Sequence, residues 1–130
     1  MGKKMLRLAV AGTAVAGAVV LPAQAALAAD YSVGAGVGVD AGANYVTAQG
    51  TITDNTSGND SVAVQTYIQR LLSVGSWVTV ATGPRVTGVN AATSTVSPQP
   101  CVNGASYRAM VNWNWNNLAR GTSYSGSKVC

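Results

Sequence analysis

From Tyr31 to Val39 every odd position is apolar (Tyr31, Val33, Ala35, Val37, Val39), and between them stand Ser32, Gly34, Gly36 and Gly38. A period of two commits the segment to a strand with one buried face, because successive side chains of a strand point to opposite sides. The period recurs down the chain. Asn44 to Thr53 turns Val46, Ala48 and Ile52 one way and Thr47, Gln49 and Thr51 the other. Ser61 to Leu72 alternates through Val62, Val64 and Ile68, and Val74-Gly75 marks a tight connection into a return strand, Trp77 to Thr82. Ala105 to Trp115 places Tyr107, Ala109, Val111, Trp113 and Trp115 on one face, with Arg108, Met110, Asn112 and Asn114 on the other; Thr122 to Cys130 closes the chain as a last strand. Asp54 to Asp60 consists only of turn-forming residues and is a loop. Pro84 to Pro100 reads mostly as loop, although Val86, Val89 and Val96 permit a strand or two. Short strands spaced near ten residues apart, with no helical period after residue 29, predict an all-β antiparallel sandwich of about seven strands.

Residues 1–29 are set aside from that fold. Lys3, Lys4 and Arg7 precede an apolar run from Leu8 to Leu21, followed by Pro22 and the small-residue stretch Ala23 to Ala29. This is the pattern of a secretory signal peptide, with a mature start expected near Asp30. Pro22 and Gln24 interrupt the apolar run before it reaches the length needed to cross a bilayer. The expected product is secreted and free of the membrane, a single domain over residues 30–130. Its charge is then five cations (Arg70, Arg85, Arg108, Arg120, Lys128) against Asp30, Asp40, Asp54 and Asp60. Scattered cations of that number form no stripe for a phosphate backbone, so no nucleic-acid partner is expected. Cys101 and Cys130 are the whole cysteine complement, and in an oxidising compartment they are read as one disulfide. A hairpin folded about Trp115 to Asn117 brings them opposite one another at its open end.

The chain has no histidine and no glutamate. Ser-His-Asp and Cys-His nucleophile systems and His-based zinc sites are therefore ruled out. A glycosidase pair would have to come from the four aspartates, three of which sit in turn-forming stretches. Asp54, Asn55, Asn59 and Asp60 offer oxygen ligands but lack the order and the bidentate glutamate of a calcium loop. No catalytic residue, metal or cofactor is expected.

Tyr67 to Gly83, YIQRLLSVGSWVTVATG, resembles the strand-turn-strand of bacterial immunoglobulin-like domains. Asn103 to Ala109, NGASYRA, resembles their penultimate strand, and Gly121 to Val129 fits a last one. The resemblance implies an immunoglobulin-like sandwich without the inter-sheet cysteine pair of antibody domains. The chain is similar also to small secreted proteins of high-GC Gram-positive bacteria. Such folds host many activities, so the likeness bears on architecture alone.

Function is read from what remains. Trp113 is in phase with the core face, whereas Trp115 and Trp77 serve equally as packing or as anchors, Trp115 with Asn114 and Asn116 beside it. The Gly-rich first strand is the other unusual feature. It is expected to pair with a partner's sheet edge by strand addition, with Tyr31, Val33, Val37 and Val39 entering alternating pockets. The leading expectation is a secreted, non-catalytic interaction module or adaptor binding an extracellular protein, for example as a subunit of a toxin or lectin assembly. The alternatives are a carbohydrate-binding module using Trp77, Trp115, Asn114 and Asn116, and a proteinase inhibitor presenting the segment Gly83-Pro84-Arg85-Val86.

Overall fold

The computed structural model describes residues 30–130; the leader expected over residues 1–29 lies outside the described residues. Eight strands follow in order: β1 (Tyr31–Asp40), β2 (Tyr45–Asp54), β3 (Ser61–Leu71), β4 (Trp77–Val89), β5 (Ala91–Pro100), β6 (Ser106–Trp115), β7 (Ala119–Tyr124) and β8 (Lys128–Val129). They form two antiparallel sheets, β1-β2-β5 and β4-β3-β6-β7, with β8 paired to β6 beside β7. The second strand pairs with the fifth in one sheet and the third with the sixth in the other, which is immunoglobulin-like connectivity. Tyr107, near the start of β6, accepts a hydrogen bond on its hydroxyl from the Val102 amide at 2.9 Å, the tyrosine corner of such sandwiches.

The core is small and β-branched. Val46, Ile52, Val62, Val64, Ile68, Val96 and Val111 are all fully buried, and they meet between the sheets from the alternating faces read in the sequence. Such side chains have restricted χ1 and pack well on a pleated surface. Gly50 lies at the centre of β2, where a Cβ would run into the Thr66 hydroxyl and both methyls of Val111, at 2.7 and 2.8 Å. Glycine there lets the two backbones approach closely.

The segment from Pro84 to Pro100, expected to be mostly loop, is instead the second half of β4 and all of β5. Two features explain the difference. Gly83 and Pro84 form a bulge: β3 pairs Gln65 with Arg85 and Tyr67 with Thr82, leaving two residues of β4 opposite Thr66 alone. The two carbonyls of the bulge and the amide opposite them find partners across the strand and the sheet. The Gln65 side chain donates to Gly83 O (3.0 Å), the Ser94 hydroxyl donates to Pro84 O (2.6 Å), and the freed Thr66 amide donates to Ser94 Oγ (3.1 Å). Thr66 Oγ1 in turn donates to Ser94 O at 2.9 Å. Pro84, Pro98 and Pro100 also all lie on edge strands, where a missing N–H costs no ladder bond. At Asn90, with φ of 69°, the chain passes from one sheet to the other, a conformation that asparagine tolerates.

Cys101 and Cys130 are bonded, with Cα atoms 6.1 Å apart and a sequence separation of 29. Cys101 follows β5 and Cys130 follows β8, so the bridge ties one sheet to the other as well as closing the end of the β6 hairpin. The last strand is also interrupted: residues 125–127 break it, and Ser125 takes over two contacts to Ala109, one through its amide and one through its hydroxyl.

Two stability predictions follow from this packing. Ser94→Ala removes the acceptor for the Thr66 amide and the donor to Pro84 O, and leaving those buried groups unpaired costs about 2–4 kcal/mol in urea unfolding. Reduction of the bridge restores unfolded-state freedom equivalent to about 3.5 kcal/mol, seen as a fall in Tm on the order of 10 °C or more.

Candidate functional site

The first strand pairs with β2 along its whole length, from Tyr31 opposite Asp54 to Asp40 opposite Tyr45. Its odd side chains turn inward: Val37 is buried, Val33, Ala35 and Val39 pack against the core, and Tyr31 is half-buried. Tyr31, Val33, Val37 and Val39 thus fill this chain's own interior, and the expectation that they enter a partner's pockets is corrected. The reason lies in the tryptophans. Tyr31 rests on Trp113 and Trp115, with ring centroids at 4.8 and 5.5 Å. The two indoles face inward from β6 and clamp the start of β1 across the open side of the sandwich. Trp113 lies over Gly121 of β7, where a Cβ would come within 2.7 Å of the indole ring.

What β1 leaves open is its outer edge and its outer face. It is an end strand of its sheet, with no proline and no charge from Tyr31 to Val39. The other sheet edges among the described residues are blunted. Pro84 interrupts β4, Pro98 and Pro100 lie in β5, and β7 is six residues long and broken after Tyr124. Gly34, Gly36 and Gly38 line an open trough of about 610 Å³ with Thr47, Gln49, Thr51, Thr95 and Pro98. A Cβ at Gly34 would crowd Thr51 Oγ1 at 2.7 Å, whereas at Gly36 it meets nothing within 4 Å.

Trp115 is held by its polar end as well. Its indole N–H donates to Asp54 Oδ1 at 3.0 Å, and the Thr56 amide and hydroxyl reach the same oxygen at 3.1 and 2.7 Å. Thr56 Oγ1 is also 2.7 Å from Asp60 Oδ2, so its one proton serves one carboxylate at a time. Removal from water pushes the Asp54 pKa up, but these hydrogen bonds outweigh it and hold the group below the ordinary carboxylate range. Asn116 and Asn117 take positive φ in the β6–β7 turn (51° and 58°), Asn116 donates to Asp60 Oδ1 at 2.8 Å, and Asn114 Oδ1 accepts from the Asn117 amide at 2.9 Å. The asparagines around Trp115 are therefore turn chemistry.

Trp77 lies elsewhere. It stands on the outer face of the β4-β3-β6-β7 sheet, stacked on Arg108, which is seven residues from Trp115 along β6 and hence roughly 23 Å away. Trp77 and Trp115 do not form one platform, and the glycan site drawn from Trp77, Trp115, Asn114 and Asn116 is not assembled. The segment Gly83 to Val86 lies inside β4, so it is no protruding inhibitor loop.

Around Trp77 the structure does gather a cluster. The Arg108 guanidinium lies 4.4 Å from the Trp77 ring centroid and 4.1 Å from that of Tyr124, and its Nε donates to Gln69 Oε1 at 2.9 Å. Gln69, itself buried, also contacts Thr79 and Met110. Sequence reading placed Arg108 and Met110 on an outer polar face but had no means of setting Trp77 beside them. That juxtaposition needs β3 to lie between β4 and β6. Among the described residues no group of three or more potential metal-ligating His, Cys, Asp or Glu side chains comes together. Compared with known proteins, the chain matches no family model, no curated protein and no solved structure.

The Asp54 network gives a pH prediction. A folded-state pKa held below the unfolded value adds stability that is complete above about pH 4 and is lost as the pH falls through the folded value. Tm should therefore drop on acidification from pH 5 to 2.5, and Asp54→Asn should flatten that slope. An unchanged slope in the variant would assign the acid sensitivity to other groups.

Proposed function

We propose that the chain is a secreted, non-catalytic protein-binding module that takes an extended segment of another extracellular protein as an added strand along β1. The observation that carries this reading is the unprotected edge of β1: a ten-residue strand without proline or internal charge, at the end of its sheet. Edges of that kind are normally blunted, because a row of free N–H and C=O groups recruits further strands. In strand addition, those main-chain groups supply the affinity. Selectivity comes from the outer face, where Gly34, Gly36 and Gly38 leave room for bulky side chains of the incoming strand to lean over the glycines. A second copy of this chain is disfavoured as occupant. In a centred antiparallel pairing of two first strands, Asp30 of one would face Asp40 of the other, and like charges set opposite each other destabilise a strand pair. The lack of histidine and glutamate supports a binding role over catalysis, and the disulfide suits an extracellular setting.

Capture of partners from culture supernatant by wild-type protein and by Gly36→Lys tests the proposal. The lysine has space at that position, and a charge on the edge blocks further pairing. The expected outcome is a partner lost by the variant at unchanged Tm, with added hydrogen-exchange protection confined to amides of residues 31–39 in the wild-type complex. A partner retained by the variant, or bound without protection there, would refute strand addition.

A further inference from the structure

We propose that Arg108 is a carboxylate-binding site through which the outer face of the β4-β3-β6-β7 sheet grips an acidic residue of a protein partner. The guanidinium is held by three neighbours: the Trp77 and Tyr124 rings packed against it and Gln69 Oε1, which accepts from its Nε. Its end-on edge, the four Nη hydrogens, makes no hydrogen bond among the described residues. That fork is the arrangement which pairs with the two oxygens of a carboxylate, and here it is held without the entropy that a free arginine would lose on binding.

The chain does not neutralise this charge itself. Asp40 accepts from the Ala43 amide in the β1–β2 turn, Asp54 is bonded to Trp115, and Asp60 to Asn116 at the far end of the sandwich. Asp30 precedes β1, with its carbonyl bonded to the Asn55 amide. Burial beneath the two rings disfavours the charged form and lowers the guanidinium's pKa, with Tyr124 acting the other way. An under-compensated cation of this kind gains from an anion that arrives with a partner.

The surroundings select a protein as the bearer of that anion. Trp, Tyr and Arg are the residue types that dominate protein interfaces, and here all three meet on one sheet face with Met110 beside Gln69. The Arg108 cluster thus offers one charge inside an apolar, aromatic setting, which suits an acidic side chain flanked by apolar ones. The site stands apart from the β1 edge, so it does not depend on strand addition.

Titration of the ¹⁵N-labelled, disulfide-bonded protein with sodium acetate, against sodium chloride at constant ionic strength, tests the site directly. The expected result is saturable shifts of the Arg108 Nε–H and Trp77 indole N–H signals, with Kd on the order of 10–100 mM. An acetylated, amidated Val-Glu-Val peptide should bind at least threefold more tightly, and its glutamine counterpart should not bind. Arg108→Lys keeps the charge but loses the planar fork, and should weaken the peptide at least fivefold. Should that variant fold poorly, the wild-type titrations decide alone. Shifts no larger than those from chloride would overturn the site. Equal response to sulfate would make it a general anion contact, and tighter binding of glucuronate than of the peptide would make the partner an acidic polysaccharide; either result overturns the proposal as stated.

Discussion

At the middle of the sandwich the two sheets are joined by hydrogen bonds, because the side chains there are too small to hold them apart. Gly50, Gly83, Thr66 and Ser94 form a narrow waist, in which Ser94 of one sheet serves the Thr66 amide and the Pro84 carbonyl of the other. An amide freed by a bulge is a liability in an apolar interior, and it fixes the sheets in register only because its partner is in place. The β-branched residues above and below the waist pack around that junction. Their burial supplies the bulk of the stabilisation, roughly 1.5–3 kcal/mol for each Val or Ile removed from water, while the polar junction decides which arrangement is stabilised.

The two ends of the molecule solve different problems. One end is covalent: the Cys101–Cys130 bridge sits with Val37, Tyr107 and Ala109 in one half of the core. The other is aromatic and polar, where Trp113 and Trp115 receive Tyr31, and Asp54, Thr56, Asp60, Asn90 and Asn116 link loops from both sheets. Asn90 binds this end together, donating its amide to Asp60 O and accepting from Asp54 N on its own carbonyl. The first strand is secured at both ends and along its inner face, and only its outer face and edge are free.

The strands with a clean period of two were legible in the residues, as were the cysteine pair and the loop from Asp54 to Asp60, because burial on one face writes itself into alternation. The β4–β5 segment was not legible. Glycine and proline at 83 and 84 signal a break, and they are acceptable only because a serine ten residues later, in the opposite sheet, satisfies the freed groups. Trp115 was ambiguous for a related reason. A half-buried indole among asparagines looks like a ligand platform until Asp54, 61 residues away in sequence, is seen to hold its N–H. The Arg108 cluster was invisible as a cluster, since Trp77, Gln69 and Tyr124 come from three strands whose order no local pattern encodes. Tertiary neighbours decide in each case, and they leave little trace in local spacing.

The unbroken register between β1 and β2, ten consecutive pairs from Tyr31–Asp54 to Asp40–Tyr45, has a mechanical meaning. A load applied along the strand axis is shared by the whole ladder at once, and separation requires many bonds to fail together. A load applied across the sheet peels the same ladder one pair at a time. The aromatic clamp on Tyr31 guards the end from which such peeling would start on the amino-terminal side. Because rupture under force is governed by the unfolding barrier rather than by equilibrium stability, the direction of pull, more than the number of contacts, sets how long this strand holds under tension.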